Sequence, residues 1–92
     1  MSRAPAFAPG DRVAVIGLGV SGSAAALLAR VGGAEVYASD LASGPRQVAA
    51  AESLQAQGIA AEAGRHDMDR ILESDLVVTI PGISPFAEVR QA

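Results

Sequence analysis

The apolar positions of this chain fall in short blocks, and their periodicity changes from block to block. Arg12–Ile16 (RVAVI) is apolar and β-branched with no polar alternation, which predicts a parallel strand covered on both faces. From Ser21 to Val31 the apolar residues Ala24, Leu27, Leu28 and Val31 recur at i, i+3, i+4 and i+7, a helical stripe of the kind that faces a core. Gly32 and Gly33 stop that helix. Glu35–Ser39 reads as a second strand ending at Asp40. Ser43 or Gly44 can cap a second helix and Pro45 fits its first turn; it runs to about Gln57 and stops at Gly58. Ile59–Ala63 is a weaker third strand. Asp67–Leu72 is a short helix with Asp67 in its first turn. The stretch DLVVTI is the fourth strand, ended by Pro81-Gly82, and another helix begins at Pro85 or Phe86. Residues 1–10, with Pro5, Pro9 and Gly10 as breakers, read as a loose leader.

Strand and helix alternate throughout, which predicts an α/β fold: a Rossmann-like, doubly wound parallel sheet of strand order 3-2-1-4, forming a single small domain over residues 11–92. In such a sheet the order reverses between the first and fourth strands. Ligands bind in the crevice there, beyond the carboxyl ends of the strands.

Composition narrows the chemistry. At 92 residues the chain has room for one domain, and with 3% aromatic residues its core must come from Val, Ile, Leu and Ala. A net charge of −3 argues against non-specific nucleic-acid binding, which needs a basic face. There is no cysteine, hence no disulfide framework and no thiolate metal site. The longest strictly apolar run, AAALLA, falls far short of the ~20 residues a membrane helix needs. The start, MSRAPAFAPG, lacks the apolar stretch of a signal peptide, so a cytoplasmic setting is the default expectation. All seven basic residues are arginine. Without lysine the chain can form neither a Walker A ATP site nor a Schiff base.

The break after the first strand carries the strongest chemical signal. Gly17, Gly19 and Gly22 form G-x-G-x-x-G between a strand and a helix. Gly17 allows the sharp turn, Gly19 leaves room for a phosphate against the backbone, and Gly22 lets helix and strand pack closely. The amides of roughly Val20 to Ser23 are expected to point outward unpartnered, a site for an anionic diphosphate. Ser21 is either the helix cap or a cap that also meets phosphate. Asp40 follows Gly22 by 18 residues, at the end of the second strand. An acid there can bind an adenosine ribose, as in nicotinamide-dinucleotide domains. It can equally accept from N3–H of uracil while the Leu41 amide donates to O4, or be a plain surface turn residue.

With SDLVVTIPGISP added to GLGVSG and YASD, the chain resembles the amino-terminal domain of the Mur ligases of peptidoglycan synthesis, from about Val13 onward. The GRH at Gly64–His66 is similar to the family's Gly-x-His before the short helix. The D-glutamate-adding branch fits GLGVSG better than the L-alanine-adding one. The resemblance implies a domain that binds the UDP part of UDP-N-acetylmuramoyl-L-alanine: diphosphate on the backbone of Gly17, Gly19, Val20, Ser21 and Gly22, uracil at Asp40 and Leu41, and a facing wall from Pro81 and Gly82. It also implies that ATP and Mg2+ act through a central and a carboxy-terminal domain of the parent, with no catalytic residue and no metal ligand here. Two positions depart from the family pattern. Ile80 stands where a serine usually precedes Pro-Gly, and Ala42 stands where relatives can carry arginine, a charge that Arg46 could supply from the next helix. His66, the sole histidine, reads as a turn residue bonded to nearby backbone. Two other functions use the same pattern: an NAD(P)-binding domain of an oxidoreductase and a noncatalytic ligand-sensing domain.

Overall fold

A computed structural model describes residues 7–79. Four strands and three helices alternate: β1 (Arg12–Ile16), α1 (Val20–Val31), β2 (Glu35–Asp40), α2 (Pro45–Ala56), β3 (Ala60–Ala63), α3 (Met68–Leu72) and β4 (Leu76–Thr79). The sheet is all-parallel with order β3-β2-β1-β4, as the alternation predicts. Pro81 and Gly82, the Ile80 departure and the helix expected from Pro85 or Phe86 lie outside the described residues.

Alternation along the strands gives the sheet two different faces. Val13 and Val15 of β1, Val36 and Ala38 of β2, and Ala61 of β3 join Ala26 and Ala29 of α1 and Ala51 and Leu54 of α2 in one buried apolar cluster. Tyr37 and Ser39, the intervening residues of β2, are also buried but turn the other way. There they meet His66 and the start of α3.

Helix α1 packs on a different stripe from the one its larger residues suggest. Its buried positions are Gly22, Ala26 and Ala29, with Ala25 and Leu27 partly covered. Ala24 is exposed, and Leu28 and Val31 are 72% and 86% exposed. The reason lies at Gly22. A Cβ there would meet the carbonyl oxygen of Gly17 and would stand 2.7 Å from its carbonyl carbon. The helix is therefore seated directly on the β1 turn. Only small residues fit along a line of approach that close, so the larger ones face outward.

Residues 7–10 are tied down rather than loose. Phe7 packs on the core, and the Gly10 amide donates to the Gly33 carbonyl at 2.9 Å. Gly44 and not Ser43 caps α2, with Pro45 at its first position. Asp67 caps α3 instead of lying in its first turn, accepting from the Arg70 amide at 3.3 Å. No helix among the described residues is long and apolar enough to cross a membrane.

Candidate functional site

The chain leaves β1 through Gly17, whose φ of +124° is open to glycine and strained for other residues. The Gly17 amide donates to the Ser39 carbonyl at 2.7 Å, extending the pairing of β1 with β2 by one residue. Leu18 buries its side chain in the core at 3% exposure. Gly19 is the N-cap of α1, in extended backbone and with no side-chain cap bond. Ser21 is therefore the second residue of the helix and not its cap.

The amide of Ser23 donates to the Gly19 carbonyl at 2.9 Å. The outward-facing set is thus narrower than the sequence suggests: Val20, Ser21 and Gly22 are the amides without an acceptor among the described residues. Three aligned donors at the positive end of a twelve-residue helix favour an anion. Val20 and Ser21 are exposed, and a Cβ built on Gly19 would find nothing within 4 Å. Among the described residues, the turn opens onto free space at the edge where β1 and β4 end.

Asp40 closes β2 beside this turn. Its Oδ2 accepts from the Leu18 amide and its Oδ1 from the Ala42 amide, each at 2.9 Å. The carboxylate is therefore more than a surface turn residue, because it ties the glycine turn to the turn after β2. Each oxygen keeps a further lone pair for a ligand donor. The neighbouring Leu41 is 69% exposed, and its amide has no acceptor among the described residues. An acceptor and a donor thus stand side by side in sequence, next to the three amides of α1.

The segment after β3 completes the surroundings. The Gly64 amide donates to the Asp40 carbonyl at 2.7 Å, and Arg65 forms an isolated antiparallel bridge with Asp40. Among the described residues His66 bonds to a side chain, and not to the nearby backbone that its turn position suggests. Its Nδ1 lies 2.6 Å from Oγ of Ser39, which is fully buried. Beyond it, the Tyr37 hydroxyl donates to Glu62 at 2.8 Å and accepts from the Asp67 amide at 2.7 Å, with the Arg70 guanidinium 5.4 Å over the ring. Burial pushes the Tyr37 phenol above the usual tyrosine range; the Asp67 amide opposes that shift and the Glu62 carboxylate adds to it.

A cleft of about 590 Å³ lies elsewhere, at the amino ends of the strands, lined among others by Arg12, Arg30, Glu35, Arg70 and Glu73. Arg12 is held there by Glu35 at 3.3 Å and Glu73 at 3.7 Å. It is remote from the glycine turn and from the carboxyl edge at which parallel sheets of this order bind ligands.

Residues 11–92 match the family model described as Mur ligase MurD-like, N-terminal domain. The chain is 45% identical over 74 residues to a UDP-N-acetylmuramoylalanine--D-glutamate ligase of Acidobacterium capsulatum, covering 80% of this chain and 16% of that protein. It is 49% identical over 80 residues to the protein of the same name from Chlorobium phaeobacteroides, covering 87% of this chain and 16% of that one. The chain thus spans less than a fifth of these relatives. Among solved structures, an enoyl reductase domain of a polyketide synthase superposes with a TM-score of 0.58 at 29% identity, over 91% of this chain and 50% of that one.

Proposed function

Since the chain belongs to the MurD-like N-terminal domain family of the Mur ligases, we propose that it holds the UDP moiety of UDP-N-acetylmuramoyl-L-alanine for a D-glutamate-adding, ADP-forming ligase of cytoplasmic peptidoglycan synthesis. The observation that carries this reading is the pairing of two features at one edge. Three free amides at the head of α1 suit a diphosphate, and the Asp40 carboxylate beside the free Leu41 amide suits the N3–H and O4 of uracil. In this reading Gly17 and Gly22 shape the turn, Gly19 leaves the approach open, Val20 and Ser21 donate to phosphate, and Pro81 and Gly82, outside the described residues, would supply the opposite wall.

The domain positions substrate and performs no bond-making itself. In the parent reaction ATP activates a carboxylate as an acyl phosphate, which the incoming amine attacks. The absence of lysine means that a P-loop, and with it ATP and Mg2+, would come from the central domain of the parent. Walls from those other domains would complete the pocket, so the 92-residue chain should bind the nucleotide weakly on its own.

A nicotinamide dinucleotide is the competing ligand, favoured by the acid at the end of β2 and by the enoyl reductase likeness. Calorimetric titration of the chain with UDP, UDP-N-acetylmuramoyl-L-alanine and NADH separates the two. The ligase reading expects heat from both uridine ligands and none from NADH at equal concentration. Binding of NADH alone would overturn it.

A further inference from the structure

The dipeptide Ser39-Asp40 is held from both sides. Toward β1, the Ser39 carbonyl takes the Gly17 amide and the Asp40 carboxylate takes the Leu18 amide. Toward β3, the Asp40 carbonyl takes the Gly64 amide and the Ser39 hydroxyl meets the His66 ring. Three of these four links use atoms that any residue supplies or that belong to the proposed base site itself. The fourth, at 2.6 Å, joins two side chains 27 residues apart and contacts no part of the proposed ligand site.

We infer that His66 is a positioning residue for the Asp40 carboxylate, acting through the buried hydroxyl of Ser39. For its functional consequence the inference rests on the nucleotide reading above; its geometry stands on the hydrogen bonds alone. Ser39 is fully buried, so its hydroxyl has no solvent to fall back on if the ring is removed. Removing either the ring or the hydroxyl cuts the one side-chain tie that the described residues show between the end of β2 and the segment after β3, and the adjoining residue is the one whose carboxylate spans Leu18 and Ala42. A shift of that carboxylate alters both the glycine turn and the base-reading pair. The Gly64 amide holds the same strand end by its backbone, so loss of the ring loosens the site without dissolving it.

The test uses the chain labelled with 15N, in wild-type form and as His66→Asn, His66→Leu and Ser39→Ala. Asparagine returns a polar group near the place of Nδ1, whereas leucine fills the space without one. The expected result is that His66→Leu and Ser39→Ala each weaken UDP binding about tenfold, while His66→Asn stays within about threefold of wild type. In the ligand-free protein, the Leu18 and Ala42 amide resonances should move in His66→Leu and return toward wild type in His66→Asn. The double variant Ser39→Ala/His66→Leu should weaken UDP no further than His66→Leu alone.

Equal losses in the asparagine and leucine variants would overturn the inference, since a bulk structural role predicts them. So would a leucine variant that binds UDP normally with its Leu18 amide in place. If the wild-type chain does not bind UDP, the nucleotide reading fails. The positioning role is then decided by the ligand-free Leu18 and Ala42 resonances, supported if they follow the leucine-to-asparagine rescue and overturned if they do not. Should His66→Leu fail to fold, Ser39→Ala, which removes a single oxygen, takes its place against His66→Asn as the variant without the link.

Discussion

The carboxylate of Asp40 accepts the amide proton of Leu18 at 2.9 Å, linking the end of β2 to the middle of the glycine turn. The residue that suits a nucleobase is thus also the residue that fixes the turn suited to its phosphates. Recognition and support are one group, so a change at Asp40 should register in both.

Asp40→Asn tests this coupling. An asparagine can present only one oxygen, and its NH2 group would face the amide of Leu18 or Ala42, a donor against a donor. The expected outcome is a loss of about 1–3 kcal/mol in stability by denaturant unfolding, together with loss of measurable UDP binding. Unchanged stability would mean that the carboxylate does not hold the turn.

The glycines of the motif should separate cleanly. Gly22→Ala drives a Cβ into the Gly17 carbonyl, a backbone group that cannot yield, so the variant should lose at least about 1–3 kcal/mol or fail to fold. Gly19 has a negative φ of −75° and open space where its Cβ would stand. Gly19→Ala should therefore melt within about 0.5 kcal/mol of wild type while losing diphosphate affinity. Thermal unfolding and UDP titration of the same two variants check both halves.

Alkaline titration isolates one residue. The chain has a single tyrosine, no lysine and no cysteine, so above pH 9 Tyr37 is the side chain that titrates before arginine does. Its folded value is raised above the ordinary 10.0, chiefly by burial. The folded state thus keeps the proton longer than the unfolded state. Its contribution is complete below pH 10 and is lost as pH rises through the raised value. Tyrosinate absorbance should appear later in the folded chain than in denaturant, and stability should fall across that interval. Tyr37→Phe should flatten the alkaline fall, while its neutral-pH stability drops by about 1–3 kcal/mol because the Asp67 amide and Glu62 lose their partner.

The cap of α3 gives a smaller effect. Asp67→Ala removes the acceptor for the Arg70 amide and the ion pair to Arg70 at 3.7 Å. A cost of about 1 kcal/mol is expected from the cap, with little from the half-exposed pair. Urea unfolding measures it.

β1 was legible because pairing on both sides leaves it a nearly pure apolar block: it is read as Arg12–Ile16 and forms over those residues. The orientation of α1 was not, because residue size along the stripe of Leu27, Leu28 and Val31 outweighs small residues in any pattern count. What decides the face is a contact between Gly22 and Gly17, visible in the motif but not in the periodicity. At Asp40, the bond to Ala42 two residues on is a local turn pattern that sequence can suggest. The bond to Leu18 depends on register: Ile16 lies opposite Ser39, which brings the residues just past β1 alongside Asp40. The same dependence hides the meeting of Ser39 with His66, since neither residue type nor spacing points from one to the other.

The most direct test of where the nucleotide sits is a UDP titration of the 15N-labelled chain followed amide by amide. The account predicts the largest shifts at Val20, Ser21, Gly22 and Leu41, with cytidine diphosphate producing weaker shifts at Leu41 because its N3 carries no proton for Asp40. Shifts confined to the opposite cleft around Arg12 and Arg70, or a response at Leu41 that does not distinguish the two bases, would contradict it.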